Sequence, residues 1–98
     1  MSKKKKLKSF ADRFPMRDSA ILEVLADNVR ELRKVCGLSQ ASLAVSVEID
    51  QTEISKIENR RANPTIVTLE RLADALGVPL PALLEPEAKQ KKISRSKP

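Results

Sequence analysis

Apolar residues return every three or four positions along much of this chain, which is the period of an amphipathic helix. Ile21, Leu22, Leu25, Val29, Leu32 and Cys36 form one such stripe, predicting a helix from about Asp18 or Ser19 to Cys36 that Gly37 ends as a C′ residue. The stretch from Ser19 to Asp27 can also be read as a short helix of its own, and periodicity does not choose. Leu43, Ala44 and Val47 mark a second helix behind Ser39 as N-cap. Ile54 and Ile57 mark a third behind Asp50, with Glu53 three residues on completing a capping box. Thr65 caps a fourth, whose apolar face is Ile66, Leu69, Leu72, Ala73 and Leu76, and Gly77 ends it. A last short helix around Leu80 to Leu84 follows Val78-Pro79, with Pro81 tolerable only because it falls in the first turn. No run alternates as a strand does, and no unit of about 20 to 50 residues repeats. The pattern predicts an all-α fold of about five short helices around one core.

Between the second and third helices only Val47-Glu48-Ile49 is left for a turn. So short a connection throws the third helix across the second at a steep angle, and the small Ala44 lets the two backbones approach. That is a helix-turn-helix arrangement, a way to set a helix in a DNA groove.

Charge divides the chain in three. Residues 1–17 hold seven basic side chains against Asp12 alone, residues 88–98 hold five and no acid, and residues 18–87 hold seven basic and twelve acidic ones. The net charge of +6 is therefore +6 and +5 in two tails around a core of −5. The reading is a basic, flexible N-terminal arm, a helical domain over 18–87, and a basic disordered tail. Inside the acidic domain, Lys56, Arg60 and Arg61 cluster at and beyond the end of the third helix, a local edge sufficient to engage phosphates. A helical region of this size buries one modest core, so its stability is open to support from a dimer partner.

Several classes of function drop out. No stretch reaches the roughly 18 apolar residues of a membrane span, and the N-terminal lysines lack the apolar block of a signal peptide, so the expected location is the cytoplasm, on nucleoid DNA. In a eukaryotic host the lysine run would imitate a nuclear signal. With Cys36 as the lone cysteine and no histidine, an intramolecular disulfide and a Cys/His metal site are impossible; on an apolar helical face the thiol is expected to be buried and inert. No His, glycine-rich loop or converging acid–base pair is present to activate a nucleophile, so neither an enzyme nor a cofactor is expected. Phe10 and Phe14 are the only aromatic residues, and they can pin the arm to the core near Pro15 and Met16. They do not make the stacking platform of a single-strand or RNA binder, and duplex DNA is the better partner.

The residues Val29-Arg30-Glu31-Leu32-Arg33, Gly37-Leu38-Ser39-Gln40, Leu43-Ala44, Ile54 to Asn59, Asn63-Pro64 and Leu72 to Val78 together resemble the phage-repressor and Cro class of helix-turn-helix proteins, the XRE family. The resemblance covers roughly residues 25 to 85. It implies a compact repressor-like domain in which Gln51 to Glu58 is the recognition helix in the major groove. Gln51, Thr52 and Lys56 match base-reading positions, with Ser55 nearby. Gln40 matches a position that both contacts phosphate and braces the fold. Asn59, Arg60 and Arg61 match the loop that follows the DNA backbone, and Arg33 and Glu58 match an ion pair of purely architectural role. Their chemistry suits reading, since Gln pairs bidentately with adenine, Lys donates to guanine O6 and N7, and the Thr methyl touches that of thymine. The plain alternative is that Gln51 and Thr52 merely fill solvated first-turn positions. Where the family commonly has glycine, in the turn and after the recognition helix, this chain has Glu48 and Arg60, so positive φ at either would cost about 1 kcal/mol. Glu48, Asp50 and Glu53 also bring three carboxylates near the DNA-facing turn, so that affinity comes to rely on the lysine tails.

The expectation is a sequence-specific, double-stranded-DNA-binding transcriptional regulator, a repressor or autoregulator. The competing reading is a protein-interaction module, such as an antitoxin or coactivator subunit, whose main partner is another protein. A homodimer is expected through Leu80, Leu83 and Leu84, against the alternative that these leucines close the domain's own core. The Lys3 to Lys6 run either follows DNA phosphates or serves as a solubilising arm.

Overall fold

A computed structural model describes residues 18–86. Five helices follow one another: α1 Ala20–Val35, α2 Gln40–Val47, α3 Gln51–Glu58, α4 Ile66–Leu76 and α5 Leu80–Leu83. No strand occurs among the described residues. The arm, the basic tail and the suggested pinning by Phe10 and Phe14 lie outside them.

α1 is one continuous helix of 16 residues rather than two short ones. Ser19 caps it, its Oγ accepting from the Leu22 amide at 3.2 Å. Ser39 and Thr65 cap α2 and α4 in the same way, accepting from Ser42 and Thr68 at 2.9 and 3.1 Å, so in three helices a hydroxyl satisfies an amide that would otherwise lack a partner. Asp50 holds the N-cap position of α3 but makes no side-chain cap hydrogen bond, so the expected capping box does not close. The turn is fixed instead by the chain entering it.

Helices α1 to α4 all end alike. The amide of Gly37 donates to Lys34 and that of Leu38 to Arg33; Glu48 donates to Val45 and Ile49 to Ala44; Arg60 donates to Ile57 and Arg61 to Lys56; Gly77 donates to Asp74 and Val78 to Ala73. Each pair of bonds is a Schellman motif, which needs a left-handed residue at C′. Glycine supplies it twice, at φ 74° and 75°, and Glu48 and Arg60 supply it at φ 59° and 60°. In three of the four, the next residue is apolar, and Leu38, Ile49 and Val78 pack against the core.

That core is Leu22, Leu25, Val29 and Leu32 of α1 against Leu43, Ala44 and Val47 of α2, Ile54 and Ile57 of α3, and Leu69, Leu72, Ala73 and Leu76 of α4, with Leu83 closing one end. Ile21 and Ile66, expected inside, are exposed: each lies in its helix's first turn, ahead of where the axis meets the core. Cys36 is exposed as well. It is the C-cap of α1, where the chain leaves the helix, and its Sγ lies 3.8 Å from the carbonyl of Leu76 rather than under the apolar face. No helix of the described residues is long and apolar enough to cross a membrane.

Candidate nucleic-acid interface

α3 divides sharply. Ile54, Ile57 and Glu58 are buried, while Gln51, Thr52, Lys56 and Asn59 are exposed and Glu53 and Ser55 half-buried. At 3.6 residues per turn the exposed set forms one continuous outward stripe, and none of these side chains is needed to hold the core. Thr52, Ser55, Lys56, Asn59 and Arg61 line a single shallow depression. Asn59 donates to the Ser55 carbonyl at 2.8 Å and to its Oγ at 3.4 Å, so its amide nitrogen is committed to finishing the helix. Of the loop residues, Arg61 lines the depression. Arg60 instead turns back towards α1, its Nη1 3.8 Å from a Glu23 carboxylate oxygen.

Behind the stripe sits Glu58, at 3% exposure. Arg33 Nε donates to its Oε2 at 2.7 Å, and Arg33 Nη2 and Gln40 Nε2 to its Oε1 at 3.1 and 3.0 Å. Arg30 Nη2 donates to the Glu58 backbone carbonyl, and its Nε is 3.9 Å from the carboxylate. Burial pushes the Glu58 carboxyl up, but the hydrogen bonds from Arg33 and Gln40 and the charges of Arg33 and Arg30 outweigh it, leaving it below its ordinary value. The Arg33 guanidinium moves the opposite way, raised chiefly by its hydrogen bond to Glu58 against a smaller cost of burial. One carboxylate thus ties α1, α2 and the end of α3 together.

A family model for the helix-turn-helix, HTH_3, matches residues 29–83, which is more than half of the chain. The chain belongs to this helix-turn-helix family. Control protein C.SmaI of Serratia marcescens is 42% identical over 64 residues, covering 65% of this chain and 76% of that protein. Among solved structures, a hypothetical transcription factor from Neisseria superposes with a TM-score of 0.69 at 38% identity, covering 74% of this chain and 83% of that one. The restriction-modification controller protein C.Esp1396I, solved as a tetramer in complex with its natural 35 base-pair operator, superposes with a TM-score of 0.61 at 31% identity, covering 66% and 86%.

Within this helix-turn-helix, the structure brings Gln51, Thr52, Ser55, Lys56, Asn59 and Arg61 to one side, and places Gln40 half-buried at the start of α2 with its amide on Glu58. Leu83 corrects the expected dimer patch: at 0% exposure it is spent inside its own protomer, and Leu80 and Leu84 pack partly against the same core. Two residues of consequence went unread in the sequence. Asn28, buried, donates to the carbonyls of Leu83 and Glu85 at 2.9 and 2.7 Å and more weakly to Ala82 at 3.3 Å, latching α5 onto α1. Its one signal was a polar residue set among Leu25, Val29 and Leu32. Arg30 lies one turn before Arg33, and that spacing is what puts both guanidiniums on Glu58. Among the described residues no cluster of His, Cys, Asp or Glu is placed to hold a metal ion.

Proposed function

We propose that this protein is a sequence-specific transcription regulator that binds duplex DNA as a homodimer and acts as a repressor or autoregulator. The reading rests above all on the outward stripe of α3. Amide, hydroxyl and ammonium groups stand together on a helix whose opposite side is locked to α1 and α2 through Glu58. A rigid helix with such a face suits the major groove, where each good base contact contributes about 1–3 kcal/mol of discrimination. In this reading Gln51, Thr52 and Lys56 meet base edges, with Ser55 beside them. Asn59, Arg61 and the start of α2 at Gln40 lie along phosphates, and Arg60 joins them by leaving Glu23. The C.Esp1396I tetramer in complex with its operator shows a protein of similar fold assembled on DNA, and C.SmaI is a control protein, which supports a regulatory role. Nothing in the site favours a protein partner in place of DNA.

Selection of bound duplexes from a random pool tests the proposal. The parent chain is expected to recover a defined sequence, and Gln51→Ala and Lys56→Ala are each expected to relax it at one position per half-site. Identical recovered sequences from all three proteins would remove base reading by α3.

A further inference from the structure

Five large apolar side chains are exposed among the described residues, and only Ile66 and Val67, at 66% and 54%, adjoin one another in sequence. They open the outer face of α4. Ile66, Val67, Glu70, Arg71 and Asp74 are all exposed, and helical spacing sets them in one stripe opposite buried Leu69, Leu72, Ala73 and Leu76. We infer that this face of α4 is where a second copy of the chain docks, an inference resting on the dimeric reading above.

The face is complementary to itself. When two α4 helices lie antiparallel about a two-fold axis passing between positions 70 and 71, residue n faces residue 141 minus n. Each Arg71 then stands opposite the partner's Glu70, and each Ile66 opposite the partner's Ala75, which is half-buried in its own protomer. Val67 falls opposite the partner's Asp74, at the end of the contact, beside the Arg71 side chain, whose methylene stem covers apolar surface while its head pairs. The symmetry doubles every contact, as an isologous interface requires. A parallel approach would set Glu70 against Glu70 and Arg71 against Arg71 and is repelled. The surface is also well placed. α4 begins at Ile66, eight residues after α3 ends, so an axis through it keeps the two recognition helices near one another, as half-sites about 34 Å apart demand. The leucines of α5 offer no equivalent, since Leu83 is enclosed.

Sedimentation equilibrium of the full chain without DNA tests this. Glu70→Arg and Arg71→Glu, each placing like charges across the axis, are expected to weaken self-association by about tenfold or more. The double variant Glu70→Arg with Arg71→Glu restores the opposite-charge pairing and is expected to recover most of the loss. Ile66→Lys is expected to abolish the dimer, with circular dichroism unchanged because the side chain points outward. A chain that stays monomeric, single reversals that dimerise like the parent, or a double variant no better than the singles would each overturn the inference, as would the same mass for Ile66→Lys, which would assign the patch another occupant. The outcome is separable from base reading: variants monomeric in sedimentation are still expected to select the parent's half-site, at lower affinity, if α3 reads DNA, and loss of selection with an intact dimer would indict α3 alone.

Discussion

Glu58 concentrates the cost and the benefit of the design in one side chain. A buried carboxylate without partners would lose several kcal/mol, yet here Arg33 and Gln40 donate three hydrogen bonds to it and Arg30 stands beside it. Because its carboxyl is held below the ordinary 4.5, the unfolded chain takes up the proton first as acid is added. The group's contribution is therefore whole above about that pH and disappears as pH falls through the lower, folded value. Denaturation by urea between about pH 5 and pH 3 should show this as a fall in stability. Glu58→Gln keeps the shape but leaves the Arg33 guanidinium, 13% exposed, without its counter-charge. The variant is expected to lose about 3–5 kcal/mol at neutral pH and to show a flatter acid limb. A variant as stable as the parent would show that the pair is energetically idle. Since a small domain has only about 5–15 kcal/mol in all, loss of DNA binding by Glu58 variants would report unfolding, and only Gln51 and Lys56 can report reading.

At the level of elements, α3 is bracketed by the two helix ends that have no glycine. Glu48 closes α2 just before it and Arg60 follows it, both left-handed, a conformation that costs a residue with a β-carbon about 1 kcal/mol or more. Glu48→Gly and Arg60→Gly are each expected to stabilise the domain by about 1 kcal/mol, which is a rise in Tm of about 4–8 °C for a domain of this size. Losing the exposed Arg60–Glu23 pair at 3.8 Å takes little away. Unchanged or lowered Tm values would mean that the side chains themselves hold the turn. Asn28→Ala is expected to cost about 1–3 kcal/mol, because it strands buried carbonyls at the end of α5, and hydrogen exchange should show that loss first at α5.

The five helices and three of their caps were legible because local residues decide them: a hydroxyl at N-cap, glycine at C′ and an apolar period between. The two left-handed ends at Glu48 and Arg60 were legible only through the family's habit of placing glycine there. What could not be read was set by distance along the chain. Asn28 meets its carbonyl partners 54 to 57 residues away, and Arg30 meets Glu58 at a separation of 28, contacts that no local pattern encodes. Whether an apolar residue faces inward also depends on where a helix crosses its neighbours, which sent Leu83 inside and left Cys36, Ile21 and Ile66 outside.

On the scale of the whole molecule, the folded part and the DNA carry charge of the same sign. Residues 18–86 hold seven basic and eleven acidic side chains, while residues 1–17 and 88–98 together carry +11. Long-range attraction to a phosphate backbone must therefore come from outside the helical domain, and Lys56 and Arg61 act only at contact range, within a Debye length of about 8 Å at physiological salt. Specificity and attraction are then separable, one assigned to α3 and the other to the ends of the chain. Replacing Lys3, Lys4, Lys5 and Lys6 by glutamine is expected to leave the selected sequence unchanged while slowing association at low salt. The slope of log K against log salt should shrink by about 0.9 for each phosphate no longer neutralised, so by roughly three to four if all four lysines engage. Filter binding across about 50 to 200 mM salt, a range over which affinity falls by orders of magnitude for a protein that neutralises many phosphates, measures both quantities at once. An unchanged slope would assign these lysines to solubility and leave the acidic domain to find DNA through the C-terminal basic residues alone.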